Sequence, residues 1–293
     1  MLKQKVRFKL LDLILIIFCI GIVYFIFYRI NVQLEYRSNW AAIPRYLLRK
    51  DPSTGKLIPN YLLLGLFTTI RLSVWSTLLG LVVGVIMGIF RTTKILFLRL
   101  VGRIYVEFIR NLPPLVLIFL FYYFASGQIL PLLGVEEFIR TRSASAQAIL
   151  AFFFAEKALF TQFVSGVITI GLFEGAFITE VVRSGIESIE RGQREAAYSL
   201  GLSWLDQMRF IIMPQAIKRI LPPLGNEFIS TVKRSSIVSA ISIQELTFQG
   251  RQLATSTLWV FEVWITVALM YLMLTLILSF AVSAMEKRLR ISD

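Results

Sequence analysis

Residues 61–90 read YLLLGLFTTIRLSVWSTLLGLVVGVIMGIF and contain one charged side chain, Arg71. A helix that crosses the hydrocarbon layer needs about 20 largely apolar residues, because backbone polar groups cannot stay unpaired in lipid. Gly80, Gly84 and Gly88 follow at four-residue spacing, which places them on one helix face and lets a neighbouring helix approach closely. The stretch therefore predicts a membrane-spanning helix with a glycine packing face.

The composition of the whole chain is also typical of a membrane protein. Of its 293 residues, 56% are hydrophobic and 17% charged, and the mean hydropathy is +0.71. Soluble domains have about 45–50% apolar and about 25% charged residues. The chain has one cysteine, Cys19, and no histidine, which excludes disulfide frameworks, histidine-ligated zinc and histidine-based catalytic triads. We predict an all-α polytopic membrane protein.

Five further apolar runs are predicted to cross the membrane, at residues 10–28, 113–130, 160–182, 224–243 and 258–284. The first is interpreted as a retained anchor, because it is long and no small-x-small cleavage site follows it. The apolar stretch 143–159 is interrupted by Glu156 and Lys157, and we assign it to the outer surface.

Loop charges orient these crossings. The chain carries 31 Lys and Arg against 18 Asp and Glu, and most basic residues lie in the segments that six crossings with both termini inside place on the cytoplasmic side. The exception is the outer loop 29–60, which holds six basic residues. The net charge of +13 is therefore explained by membrane topology, and we expect no nucleic-acid partner.

The inside loop between the fourth and fifth spans reads RSGIESIERGQREAAYSLGLSWLDQMRFIIMPQAIKRILPP from residue 183 to 223. Its first short helix is predicted at 193–200, ended by Gly201, a residue typical of the position after a helix. A second helix is predicted to open at Ser203, with Asp206 completing a capping box, and to be interrupted near Pro214.

The first of these helices has a face that suits a partner protein. Ala196 and Ala197 form a shallow, small-residue face that a partner groove could seat, and Arg191, Arg194 and Glu195 place charge around it. Ordered loops of this length are uncommon and are usually functional.

The loop resembles the EAA loop of ABC-importer permeases, whose pattern is E-A-A-x3-G-x9-I-x-L-P. The match runs through Glu195-Ala196-Ala197, Gly201, Ile211 and Met213-Pro214, with Met replacing Leu. The resemblance implies that these residues dock into a cleft on a separate ATP-hydrolysing subunit. The chain has no G-x-x-x-x-G-K-S/T loop, so it is not expected to bind ATP itself.

Other segments are similar to the polar amino-acid permease branch of this family. They are residues 65–70 (GLFTTI), 177–183 (FITEVVR, with Phe and a following Ser in place of Tyr and Gly), 221–228 (LPPLGNEF) and 233–236 (KRSS). Residues 110–113 (RNLP) resemble the variant found in general L-amino-acid permeases, which favours a broad substrate range.

The resemblance implies a five-helix type I permease core at 61–286, with the coupling loop at 187–223, a cytoplasmic tail at 287–293, and an N-terminal transmembrane anchor with its outer loop at 1–60. It also implies a bacterial inner-membrane location and a like or unlike permease dimer. The remaining partners would be two ABC ATPase subunits carrying ATP and Mg, an external amino-acid-binding protein and a polar amino-acid substrate.

Ionisable residues inside spans are costly and therefore mark candidate sites. Glu174 either lines the translocation path and contacts the ammonium of an amino acid, or forms an internal ion pair with Lys233, Arg234 or Arg71. Glu180 and Arg183 lie one turn apart and are expected to brace the inner mouth. Lys233 and Arg234 should face the dimer interior or a helix break, where they meet either a substrate carboxylate or Glu174. The substrate-path candidates are Glu174, Thr179, Glu180, Lys233 and Arg234.

Two rival functions were weighed against this interpretation. A secondary transporter or channel would often show two related halves, which the sequence lacks, and would leave the long inside loop without a purpose. A membrane-embedded enzyme would need a nucleophile or a metal cluster, and the sequence has neither histidine pairs nor grouped cysteines.

Overall fold

The computed structural model describes residues 10–33 and 38–289. Residues 1–9 and residues 290–293, the end of the predicted cytoplasmic tail, lie outside the described residues. The chain divides after Ile43 into two compact units. The first contains helix α1 (Leu10–Gln33) and a 3-10 turn (Trp40–Ala42), so the predicted anchor is helical.

The second unit is almost entirely helical. After α2 (Ile43–Leu47) and the antiparallel strands β1 (Leu48–Lys50) and β2 (Leu57–Pro59), its helices are α3 (Tyr61–Thr92), α4 (Leu96–Asn111), α5 (Pro114–Phe124), α6 (Leu130–Leu132), α7 (Val135–Arg140), α8 (Ala144–Phe153), α9 (Phe160–Glu187), α10 (Arg191–Ser199), α11 (Trp204–Asp206), α12 (Met213–Arg234), α13 (Leu246–Thr257) and α14 (Val260–Leu289). Segments 125–129 and 207–212 are π-helical, and segments 157–159 and 235–241 are 3-10 helices.

Within residues 10–33 and 38–289, four helical stretches are long and apolar enough to span a membrane. They are Tyr61–Thr92, Pro114–Leu132, Lys157–Glu187 and Val260–Arg288. Each coincides with a predicted crossing, and each extends a few residues beyond at least one predicted end. Stretch 144–153, predicted at the outer surface, is the separate short helix α8, whose first turn is capped by the Ser143 hydroxyl.

The predicted fifth span at 224–243 has the wrong bounds. Helix α12 begins at Met213 and ends at Arg234, and a 3-10 segment with a left-handed residue at Ser242 follows. Lys233 and Arg234 therefore lie in the last helical turn, where cations interact favourably with the carbonyl end of the helix. The chain changes from α-helix to 3-10 helix directly after them.

Helices α3 and α9 form the centre of the second unit, and glycines set their separation. A Cβ on Gly84 would lie 2.5 Å from Cγ2 of Ile178, and one on Gly88 would lie 2.6 Å from Cγ1 of Val182. Glycine leaves room that no other residue leaves at such a crossing. The predicted glycine packing face is confirmed.

The segment between the second and third predicted spans, predicted to lie in an inside loop, contains the helix α4. Gly102 packs beside Met87 and Arg91 of α3, and the Tyr105 hydroxyl donates to the Leu172 carbonyl of α9 at 2.6 Å. α5 then continues along the N-terminal half of α9, where Ile118 joins the core. α4 ends before Leu112–Pro113, since the residue before a proline leaves the α-helical region. The charges of α4 hide this helix from a search for apolar runs.

The strands form a short hairpin before α3. Asp51 closes the turn by accepting hydrogen bonds from the backbone N–H of Ser53 and from the hydroxyls of Ser53 and Thr54. These bonds lower the pKa of Asp51 to about 2. The buried Asn60 side chain donates to the Arg45 carbonyl at 2.7 Å and fixes the hairpin at the start of α3.

Candidate functional site

The loop after α9 is built on α10, which ends in a turn that only a few residue types tolerate. Gly201 has φ +72°. Its N–H bonds the Tyr198 carbonyl at 2.9 Å, and the Leu202 N–H bonds the Ala197 carbonyl at 3.2 Å. This is the Schellman arrangement, which satisfies the last carbonyls of the helix. The predicted stop at Gly201 is confirmed, while the helix begins two residues earlier than predicted.

The second helix of the loop opens at Ser203, as predicted. The Ser203 hydroxyl accepts the Asp206 N–H at 3.2 Å and donates to the Asp206 carboxylate at 2.5 Å. The predicted interruption near Pro214 is the π-helical segment 207–212, after which α12 continues with Pro214 in its first turn. Proline is tolerated there because its missing N–H would be unpaired anyway.

Two arginines fasten this loop to the end of α9. Arg194 donates to the Ile186 carbonyl at 2.7 Å, and Arg219 of α12 donates to the Ser188 carbonyl at 2.5 Å. Cationic donors at a helix C-terminus satisfy carbonyls that have no helical partner. These bonds connect α10 and α12 to the C-terminal end of α9.

The side of the loop that faces away from the rest of the chain exposes large apolar side chains. Tyr198 is 75% exposed and Leu205 71%, and Leu200 and Phe210 are similarly open. An open groove of about 420 Å³ lies beside them, lined by residues of α10, the π segment and the end of α3. Apolar patches of this kind mark protein–protein interaction sites.

The predicted alanine face is only half right. Ala196 is exposed and Glu195 lies beside it, but Ala197 is 1% exposed. The buried side of α10 faces the π segment, which it packs against. Ala197 is therefore a packing residue of this chain. Gly201 and Pro214 are exposed and Ile211 is half-buried.

Glu174 lies within a charged cluster between α9 and α12. Nε of Arg234 is 3.2 Å from Oε1 of Glu174, and Arg234 also donates to Glu227 at 2.7 Å. The guanidinium lies 4.3 Å from the centre of the Phe177 ring. Of the three cations proposed as partners of Glu174, the structure places Arg234 against it.

Two other candidates have different surroundings. Thr179 is buried, and its hydroxyl donates to the Gly175 carbonyl of its own helix at 2.7 Å. Lys233 lies next to Arg234 in the last turn of α12, but its side chain is exposed. The structure therefore does not bring these two together with Glu174.

Glu180 belongs to an ion-pair network near the C-terminal end of α9. Its carboxylate accepts from Arg183 at 2.8 Å, as the one-turn spacing predicts, and also pairs with Arg91 of α3. Arg183 pairs with Glu187 as well. The Arg91 contact was not predicted, since it joins residues far apart in sequence. The network braces α3 against α9.

A second buried carboxylate was missed by the sequence analysis. Glu245 is fully buried at the start of α13 and accepts the N–H groups of Thr247 and Phe248 at 2.9 and 2.8 Å. It also accepts the hydroxyl of Tyr271 in α14 at 2.7 Å. Glu245 is the N-cap of α13, a position that Ser, Thr, Asp or Asn usually occupies. The sequence therefore contains no ordinary capping signal here, and the predicted loop between two spans concealed α13.

No group of three or more potential metal-ligating side chains occurs among residues 10–33 and 38–289.

The comparisons with known proteins agree with this architecture. Residues 58–291 match the family described as binding-protein-dependent transport system inner membrane component. The chain is 38% identical to the probable glutamine ABC transporter permease protein GlnM of Bacillus subtilis over 77% of this chain and 91% of that protein. It is 31% identical to the glutamine transport system permease protein GlnP of Escherichia coli over 89% of this chain and all of that protein.

Solved structures show the same fold. A chain of an amino acid ABC transporter crystallised with histidines superposes with a TM-score of 0.64 at 30% identity, covering 86% of this chain and all of that one. A chain of the MetNI methionine ABC transporter superposes with a TM-score of 0.60 at 17% identity, covering 79% and 97%. The predicted all-α type I permease fold is confirmed. The chain belongs to the family of inner-membrane components of binding-protein-dependent transport systems, in which it is a permease subunit and not an enzyme.

Proposed function

We propose that this chain forms the translocation pathway of an ATP-driven importer of polar amino acids and couples to a separate ATPase through residues 191–214. Two relatives with the same fold are named as glutamine permeases, and they support glutamine or a similar polar amino acid as the substrate. The pathway would form between two permease subunits, like or unlike, in the inner membrane with both termini in the cytoplasm. An external binding protein would deliver the substrate.

The exposed apolar side of the coupling loop carries this proposal. Leu200, Leu205 and Phe210 are exposed on this loop, and Tyr198 and Trp204 line the groove beside α10. Large apolar side chains on a water-facing loop are costly unless a partner covers them. The partner would be the ABC ATPase, which would hold ATP and Mg. Glu195, Ala196, Gly201 and Pro214 lie on or beside this surface, whereas Ala197 and Ile211 would support it from within.

The connection between loop and membrane gives the proposed mechanism. Arg194 and Arg219 tie the loop to α9, and α9 carries Glu174 and Glu180. Closure of the ATPases would move α10 and thereby tilt α9 between inward-open and outward-open states.

Of the two roles open to Glu174, its surroundings favour the internal ion pair. The side chain has no exposed surface and is within ion-pair distance of Arg234. A substrate ammonium could reach Glu174 only after Arg234 moved away. Arg234, with Glu227 beside it, is the better candidate to meet a substrate first.

The proposal is tested by purifying the tagged chain from membranes of its own host and assaying the complex for ATP hydrolysis and for glutamine uptake in proteoliposomes. Leu205→Glu should remove the ATPase from the complex and abolish uptake. Leu57→Glu is the matched control, because Leu57 is also exposed but lies in β2, before α3, at the opposite end of the unit. An ATPase that stays bound to Leu205→Glu as well as to the unmodified chain would contradict the proposal.

A further inference from the structure

Helix α4 carries its charges in one narrow stripe. Arg99, Arg103, Glu107 and Arg110 follow at spacings of four, four and three residues, which places them on one face of an α-helix. All four are exposed, Arg103 by 67% and Glu107 by 57%. The stripe thus faces away from the core of this chain.

The stripe lies alongside two membrane spans. Gly102 packs against Arg91 near the end of α3, and Tyr105 bonds Leu172 in the middle of α9. Positions 99–110 therefore accompany the inner half of both helices. Charged side chains at that depth face a water-filled cavity or protein, because lipid would leave them without hydration.

The same helix presents a separate surface that suits lipid. Phe97, Ile104 and Phe108 are exposed and lie on the face next to the charged stripe, while Gly102, Val106 and Ile109 face the core. This separation of apolar and charged exposed faces means that the stripe is not a random scatter of surface charge.

The charged stripe of α4 forms one side of a groove, and residues of α9 and α3 form the other side. Arg183 and Glu187, with Arg91 of α3, line an open groove of about 370 Å³ together with Arg99, Arg103 and Glu107. The stripe leads from the groove toward the buried charged cluster. Arg110, its last charged residue, lies 5.8 Å from the centre of the Phe177 ring, and Arg234 lies 4.3 Å from the centre of the same ring. We call this feature the charged groove.

The charges of the groove differ in how firmly they are held. Arg91 and Arg183 are engaged by Glu180 and Glu187. Nε of Arg103 and Oε1 of Glu107 are 4.0 Å apart and both side chains are exposed, and such a pair is worth about 0–1 kcal/mol. The other carboxylate oxygen of Glu107 accepts a hydrogen bond from the Asn111 amide at 2.9 Å. A molecule that carries both an ammonium and a carboxylate can replace this pair at little cost, since each group finds the opposite charge one helical turn from the other.

We propose that the charged groove is the inner half of the substrate route, and that Arg103 and Glu107 bind the carboxylate and the ammonium of the amino acid on its way to the cytoplasm. This inference rests on the proposed function. It adds a location for the exit route and two residues that select zwitterions over singly charged solutes.

The test uses single cysteines in the full permease–ATPase complex in proteoliposomes. Cys19 is the one native cysteine, so Cys19→Ser gives a clean background for Arg103→Cys and Glu107→Cys. Ile104→Cys is the matched control, on the adjacent apolar face. A water-soluble anionic methanethiosulfonate reagent should label positions 103 and 107 about tenfold faster than position 104, because the charged stripe faces water. Millimolar glutamine should slow labelling at 103 and 107 only.

Three results would overturn the inference. Labelling at 103 as slow as at 104 would place the stripe against lipid, such as an anionic phospholipid, or against protein. Spontaneous disulfides between two copies at 103 would make it a subunit contact. Labelling that glutamine does not slow would remove the substrate role. Loss of ATP-driven uptake in the unmodified complex would contradict the proposed function itself, whereas uptake with unreactive positions 103 and 107 would remove only the groove.

A second measurement does not depend on labelling. Glu107→Gln should raise the KM for glutamine uptake while Ile104→Ala leaves it unchanged. An unchanged KM for Glu107→Gln would contradict a contact with the substrate ammonium.

Discussion

Arg234 is the cation of two carboxylates: its Nε lies 3.2 Å from Oε1 of Glu174, and its Nη2 lies 2.7 Å from Oε2 of Glu227. Glu174 is fully buried, whereas Glu227 retains partial exposure. The two carboxylates therefore depend on one guanidinium, and only Glu227 can be solvated without it.

This asymmetry predicts unequal effects of two neutralising substitutions. Arg234→Gln should lower the free energy of unfolding by about 3–5 kcal/mol, because it leaves a buried carboxylate unpaired. Glu174→Gln should cost less than half as much, since Arg234 keeps Glu227. The double variant Arg234→Gln/Glu174→Gln should recover part of the loss. Chemical unfolding in detergent measures all three, with Lys233→Gln as the exposed control. Equal losses for the two single variants would contradict the arrangement.

The effect of substituting Gly201 should depend on whether the new residue tolerates a positive φ, and not on the size of its side chain. A side chain at this position meets no atom within 4 Å, but φ is +72°. The left-handed conformation costs about 1–2 kcal/mol for most residues, and least for Asn and Asp. Gly201→Ala should speed hydrogen exchange of peptide 191–204 by about fivefold, the factor that corresponds to 1 kcal/mol. Gly201→Val should have a larger effect and Gly201→Asn a smaller one.

The control for this series is Gly192→Ala, because Gly192 also has open space and does not have a positive φ. Faster exchange in Gly192→Ala than in Gly201→Ala would show that the turn is not what holds the end of α10.

Gly84 should be sensitive to a single added methyl group. A Cβ there would approach Ile178 to 2.5 Å, and overpacking of this kind costs about 1–3 kcal/mol. Gly84→Ala should lower the unfolding midpoint in detergent, and the added substitution Ile178→Val should restore part of it. Gly127→Ala is the control within a span, since Gly127 has no neighbour within 4 Å. Gly84→Ala with the midpoint of the unmodified chain would contradict the close approach of α3 and α9.

Glu245 should be as important to stability as any residue of the core. Glu245→Ala removes hydrogen bonds to two backbone N–H groups and to Tyr271, and buried bonds to a charged group predict a loss of about 3 kcal/mol. Tyr271→Phe should lose about 1 kcal/mol. Thr255→Ala, on the exposed side of α13, should change little. A smaller loss for Glu245→Ala than for Tyr271→Phe would contradict its place as the shared acceptor.

The sequence predicted those elements whose information is local. Gly80, Gly84 and Gly88 indicated a packing face, and Ser203 with Asp206 indicated a helix start, because these signals depend on neighbouring residues alone. The coupling loop and the four long spans were predicted for the same reason.

The missed features depend on residues distant in sequence or on charge within helices. Helix α4 was taken as a loop because Arg99, Arg103 and Glu107 break every apolar window, although they occupy only one face. α12 contains Pro222 and Pro223, which favour a helix break and led to the predicted start at 224. The helix in fact begins at Met213, directly after the π-helical segment 207–212. Arg91–Glu180 and Tyr271–Glu245 join different helices, and no spacing within one segment predicts such pairs. Ala197 was placed on the wrong face because a short pattern does not show which side of a helix meets the rest of the chain.

The central claim is that transport by this chain requires an ATPase held at α10. The most direct measurement compares glutamine uptake into proteoliposomes by the chain alone and by the chain with its co-purified ATPase, with the external binding protein present and with or without ATP. We predict accumulation only when both the ATPase and ATP are present. Glutamine movement by the chain alone, or accumulation without ATP, would contradict the claim.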